Sequence, residues 1–119
     1  MGGLIAHLVK ENKAPHVVIM TGGEGSHHGC CDTSSGDIVA ARRRLTRNAA
    51  AIVGLPIENI HELNYPDGGI SMNNTETDRL KALIDELQPD TILVPHWGEG
   101  WSDHIQTAEI VKQIAPPLC

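Results

Sequence analysis

Three short runs of strand character, residues 17–20, 59–65 and 91–94, are separated by stretches with helical spacing. That alternation constrains the chain more than any other feature. Val17-Val18-Ile19-Met20 and Thr91-Ile92-Leu93-Val94 are continuously apolar, as strands buried on both faces of a parallel sheet are. Residues 59–65 alternate and predict a strand with one more exposed face. Leu4, Ile5, Leu8 and Val9 predict a helix over 3–12, ended by Pro15. A second helix runs from about 37 to 53, starting at Ser34-Ser35-Gly36-Asp37 and stopping at Gly54. Its predicted apolar stripe is Ile38, Ala41, Leu45, Ala49, Ile52 and Val53, with four arginines off the stripe. Asn74 or Thr75 starts a third helix that buries Leu80, Leu83, Ile84 and Leu87, and a fourth covers 105–114. The order helix, strand, helix, strand, helix, strand, helix predicts an α/β fold of three layers around a mostly parallel sheet with right-handed crossovers.

At 119 residues the chain is expected to form a single domain, 1–119. Only 3% of its residues are aromatic and none is Phe, so the core must be aliphatic. A formal charge of −6 speaks against nucleic acid, which demands basic patches to neutralise phosphates. The one basic cluster, Arg42-Arg43-Arg44 with Arg47, sits inside a helical pattern. No apolar run reaches the length that spans a bilayer. The start lacks the pattern of a signal peptide, so a cytoplasmic location and no membrane partner are expected. Three cysteines, two of them adjacent, suit reduced thiols better than a disulfide framework.

Chemistry concentrates in two loops. Residues 95–104, Pro-His-Trp-Gly-Glu-Gly-Trp-Ser-Asp-His, join a predicted strand to a helix, where open α/β sheets place ligands. A connection that only turned the chain would favour small turn formers over this density of His, Glu, Asp and Trp. The plainer alternative is that Asp103 caps the last helix and the tryptophans cover the sheet end. The second loop, 22–32, contains His27, His28, Cys30 and Cys31, which are zinc-type ligands, but packed too closely for an ordinary tetrahedral site. Its glycines lack the spacing and the Lys-Ser/Thr ending of a phosphate loop, and Glu24 would repel phosphate. One arginine near the loop end of the second helix is placed to hold an anionic or carbonyl oxygen. Asp67, in Pro66-Asp67-Gly68-Gly69, is first of all a turn residue.

The chain resembles the LmbE-like, PIG-L-type zinc-dependent N-acetylglucosaminyl deacetylases. The matching pieces are residues 17–25, Arg42 twelve positions before Gly54, Leu63-Asn64-Tyr65-Pro66-Asp67-Gly68, Gln88-Pro89-Asp90-Thr91-Ile92, and Trp101-Ser102-Asp103-His104. They occur in the family's order over nearly the whole chain. The resemblance implies a Rossmann-like sheet, incomplete relative to the family. It implies that His104 is a zinc ligand, that Asp103 is the acidic residue beside it, and that Arg42 contacts the substrate's acyl oxygen. Two departures stand out. The family's early His-Pro-Asp-Asp-Glu segment, with its strand, two metal ligands and general base, is absent, so the Zn2+ ligand set is incomplete. Trp101 also stands where the family has a catalytic His. His96 or Glu99 would be the nearby substitutes as ligands.

Three functions follow as expectations. The first is zinc-dependent hydrolysis of an N-acetyl group from an N-acetylglucosamine-type sugar or related amide. The second is an inactive sugar- or nucleotide-binding remnant of that family, with Trp97 and Trp101 stacking on a ring. The third is an assembly role through an open sheet edge. The strand over 17–20 is the expected edge, and it predicts a homo-oligomer.

Overall fold

The structure is a computed structural model that describes residues 2–24, 34–96 and 102–115. It contains helix α1 (Gly2–Lys10), strand β1 (Val17–Thr21), helix α2 (Ser35–Val53), strand β2 (Ile60–Tyr65), helix α3 (Glu76–Leu87) and helix α4 (Ser102–Ile114). β1 and β2 pair as a small parallel sheet, so the α/β class holds. The chain divides into two compact units, one up to Glu62 and one from Leu63.

In the first unit, α2 begins at Ser34, whose hydroxyl accepts the Asp37 N–H at 3.2 Å. This satisfies one of the donors that a helix start leaves without an intrahelical partner. The helix stops at Gly54, against which Val9 of α1 packs. Its buried or half-buried residues are Ile38, Val39, Ala41, Arg43, Thr46, Ala50 and Val53. Ile38, Ala41 and Val53 of the predicted stripe thus face inward, joined by Val39, Arg43, Thr46 and Ala50. Leu45 and Ile52 are 62% and 86% exposed, and Ala49 is exposed as well.

The charged part of this inward face meets Glu62 on β2. Its Oε2 accepts Arg43 Nε at 3.1 Å and Arg47 Nη2 at 3.3 Å, and its side chain is only 14% exposed. A carboxylate so far out of water needs charged partners, and α2 turns the 43/47 face toward it. Gly22 lets the helix approach closely here, since a Cβ at that position would sit 2.6 Å from Val39 Cγ2.

The two strands are also tied at their N-terminal ends. Asn59 Nδ2 donates to the Pro15 carbonyl at 3.1 Å. His16 Nδ1 and His61 Nε2 lie 2.9 Å apart, with ring centroids 5.2 Å apart and planes at 21°. That centroid separation is the hydrogen bond plus the two ring radii, so the imidazoles meet edge to edge, one donating and the other accepting.

The second unit has an aliphatic core of Leu63, Ile70, Leu80, Ile84, Ile110 and Ile114 around one aromatic ring, that of Tyr65 at 1% exposure. Leu80 and Ile84 are buried as expected, while Leu83 and Leu87 are half-buried. The tyrosine hydroxyl lies 2.6 Å from Thr77 Oγ1. Thr77 in turn donates to the Ser71 carbonyl at 3.2 Å. The threonine has a single proton to give, so Tyr65 is the donor of the pair. The buried phenol is thereby satisfied.

Residues 91–94, expected as a strand, form no ladder; the stretch 91–96 has no regular structure. Leu93 and Val94 are 57% and 39% exposed. An apolar β-branched run becomes a strand only where a neighbour accepts its backbone hydrogen bonds. Among the described residues no helix is long and apolar enough to cross a membrane.

The burial pattern yields a stability contrast. Ile110, fully buried in α4, should cost about 2–5 kcal/mol when cut to alanine. Ile52→Ala should stay within about 0.5 kcal/mol of wild type. Urea titrations of both variants check this; equal losses would contradict the exposure of Ile52.

Candidate functional site

Within the first unit, the loop that follows β1 is shaped around an arginine. Gly23 has φ +70°, a region that side-chain-bearing residues rarely adopt. Its N–H is held by Thr21 Oγ1 at 3.2 Å. The Arg42 side chain lies directly against it, for a Cβ on Gly23 would sit 2.6 Å from Arg42 Nε. Of the four arginines, Arg43 and Arg47 are committed to Glu62. Arg42 instead rests at the C-terminal end of β1, the side of a parallel strand where such folds bind ligands. This is the loop-end arginine anticipated from the sequence. His27, His28, Cys30 and Cys31 lie outside the described residues.

In the second unit, both functional candidates of α4 sit in its first turns. Asp103 does not merely cap its own helix. Its Oδ2 accepts the Gly68 N–H at 2.7 Å and its Oδ1 accepts the Ile70 N–H at 3.2 Å. Those amides belong to the turn that leaves β2, closed by Gly69 N–H donating to the Pro66 carbonyl at 2.9 Å. Gly68 has φ +79°, the geometry that position i+2 of a type II turn demands. Asp67 stands at the exposed tip of that turn. His104 follows Asp103 directly and is exposed.

A second carboxylate acts in a similar way one helix earlier. Glu76 Oε2 accepts the Asn64 N–H at 3.0 Å and Arg79 Nη1 at 2.7 Å. The Asn64 bond, more than Arg79, pulls the Glu76 carboxyl below its ordinary pKa. Asn74 Oδ1 accepts the Glu76 N–H at 2.9 Å and so provides the capping bond of α3. Burial pushes the Tyr65 phenol upward.

His96 is exposed at the end of the irregular segment, and Trp97, Glu99 and Trp101 lie outside the described residues. Among the described residues, no three His, Cys, Asp or Glu side chains gather where they could hold a metal ion. Asp103 has both oxygens engaged by amides, which leaves His104 as the family-type ligand. The described residues therefore do not by themselves fit a zinc ion. The sequence reading missed Glu62, Glu76 and the seat of Arg42. Of these, only the i, i+4 spacing of Arg43 and Arg47 facing a strand carboxylate left a readable trace.

With this geometry in hand, comparison with known proteins defines the class. The chain belongs to the PIG-L family, described as GlcNAc-PI de-N-acetylase, with residues 1–115 matched. Its fold resembles that of the N,N'-diacetylchitobiose deacetylase from Pyrococcus horikoshii, solved with its inhibitor MPG, at TM-score 0.79 and 24% identity over 95% of this chain and 42% of that one. It also resembles the conserved protein TT1542 from Thermus thermophilus, at TM-score 0.71 and 23% identity over 93% of this chain and 46% of that one. The chain thus spans less than half the length of these structures.

Two measurements follow. The native Glu76 carboxyl has a depressed pKa, so its contribution to stability is complete above the unfolded value of about 4.5 and is lost as pH falls through the native one. Unfolding free energy should drop below that pH in wild type and drop less steeply in Glu76→Gln. For Gly23→Ala, the left-handed backbone and the contact with Arg42 predict a loss of about 1 kcal/mol or more, read by urea titration. A neutral result would show that Arg42 is not seated there.

Proposed function

We propose that this chain carries part of a deacetylase of the PIG-L type, acting on the N-acetyl group of an N-acetylglucosamine-type sugar or a related amide. The observation that carries the reading is the family match over residues 1–115. The seat of Arg42 on Gly23 supports it from the physical side. A guanidinium held at the C-terminal end of a strand presents a planar fork of donors to an acyl oxygen. As that oxygen gains charge during attack on the amide, such a donor stabilises the oxyanion more than the ground state. His104 supplies an imidazole nitrogen, and Asp103 belongs to the same stretch as its acidic neighbour. Family deacetylases are generally metal-dependent, and zinc is the proposed ion. His104 is one ligand and catalytic zinc sites normally use three, so the ion would need further ligands beyond the described residues.

A second reading is favoured by two observations. Leu93 and Val94 are exposed in a segment without regular structure, and β1 is half-buried along its length. Both suit association with another chain by strand addition, so a homo-oligomer is proposed alongside the activity. The location is proposed to be cytoplasmic.

Acetate release from N-acetylglucosamine-type substrates, with and without added zinc, tests the main reading. Arg42→Lys should weaken binding of acetate or an N-acetyl sugar about tenfold, or about 1.4 kcal/mol, with little change in melting temperature. His104→Ala should abolish whatever zinc uptake wild type shows in calorimetry. Sugar binding without turnover would favour an inactive remnant. Concentration-dependent light scattering without ligand binding would favour assembly.

A further inference from the structure

We infer that the outward face of α2 is a docking surface for a second copy of this chain, the two α2 helices packing antiparallel about a dyad beside Ala49. The head of the helix's apolar stripe, Ile38 and Ala41, turns inward. Its lower part does not: Leu45 is 62% exposed, Ile52 is 86% exposed, and Ala49 between them is exposed as well. Spacings of four and three residues put these three side chains on one line along the helix. Ile57, 61% exposed in the short helical turn Ile57–Asn59 that packs against α2, carries the apolar strip past the helix end. Large aliphatic side chains seven residues apart, with a small one between them, suit the close pairing of two helices.

Self-complementarity and charge identify the occupant. In an antiparallel pair about that dyad, Leu45 of each copy meets the partner's Ile52, and the small Ala49 side chains lie at the closest approach. Of the four arginines of α2, Arg43 and Arg47 are bound to Glu62 and Arg42 lies against Gly23. Arg44, exposed beside Leu45, is the cation that borders the seam. A parallel pair would set Arg44 against its own copy. The antiparallel pair separates the two by the rise from Arg44 to Val53, about 13 Å, which exceeds the Debye length of about 8 Å at physiological salt. It also brings each Arg44 level with the partner's Val53. There the last turn of α2 has no basic residue of its own, and among the described residues no backbone amide donates to the Ile52 or Val53 carbonyls. The negative end of the helix dipole thus meets a guanidinium. An anionic membrane fits this face less well, because its attraction takes clusters of about four to eight basic residues and the seam is bordered by Arg44 alone among the arginines of α2.

The inference does not rest on the deacetylase reading, and the surface differs from the one open to strand addition. Sedimentation equilibrium over a concentration series should show a monomer–dimer equilibrium in the wild-type chain. Leu45→Glu and Ile52→Glu should each weaken the dimer about tenfold or more, with little change in melting temperature, because both side chains lie in solvent. Arg44→Glu should weaken it too, whereas Leu93→Lys, in the exposed segment of the second unit, should leave it unchanged. A short bismaleimide added to Ala49→Cys should link the two copies through position 49, as peptide mass spectrometry reads. A wild type that stays monomeric, or a dimer indifferent to Leu45→Glu and Ile52→Glu, would overturn the surface. So would a dimer that Leu93→Lys dissociates while the two seam variants do not. A dimer without the link through position 49 would overturn the antiparallel register. Binding of a monomer to vesicles of anionic lipid, lost in Ile52→Glu, would assign the face to a membrane and overturn the inference. If the two seam variants fail to fold, the link through position 49 decides.

Discussion

The second unit depends on how the backbone donors at the end of β2 are satisfied. Asn64 N–H is met by Glu76, and Gly68 and Ile70 N–H by Asp103. Each acceptor is a carboxylate near the start of a helix, where the helix dipole favours negative charge. One negative group therefore serves two purposes, completing a helix start and closing the hydrogen bonds of the chain it faces. Two helices are held to one strand end in this way, and the buried Tyr65–Thr77–Ser71 chain adds a third tie between the same segments.

The first unit solves a different problem, a carboxylate beneath a helix. Glu62 is nearly out of water, and its Oε1 is buried with no hydrogen-bond partner. Two arginines of α2 reach its Oε2. The usual reading of a helix puts apolar residues in and charge out. That reading favours the 38-41-45-49-52-53 stripe. Val39, Arg43, Thr46 and Ala50 lie beside it at helical spacing, and the arginine among them has its partner outside the helix. The observed face combines the two series, with Ile38, Ala41 and Val53 of the apolar one kept inward and Leu45 and Ile52 left in solvent.

This sorts what a sequence can and cannot reveal here. The helices, β1 and β2 were legible, because periodicity, Ser34, Gly54, Asn74 and Pro15 are local signals. The Pro66–Gly69 turn was legible for the same reason. The inward place of Arg43 was not, since it depends on Glu62, nineteen residues further along the chain. Nor was the fate of residues 91–94, whose composition says strand while strand formation depends on a neighbour. The site divides along the same line. Arg42, Asp103 and His104 could be singled out from residue type and resemblance. That Asp103 holds a turn could not, because Gly68 and Ile70 offer only backbone, and backbone donors carry no residue signature.

The arginine seat shows how little separates a structural from a functional side chain. Arg42 and Arg43 are neighbours on one helix, identical in chemistry and about 100° apart around its axis. Arg43 points to Glu62 and is half-buried. Arg42, one step around, passes over Gly23 and remains exposed. The setting of α2 that lets Arg43 reach Glu62 therefore also puts Arg42 against Gly23 at the end of β1. Any turn of the helix that withdrew one guanidinium would withdraw the other, so the ion pair and the proposed oxyanion contact depend on the same helix setting.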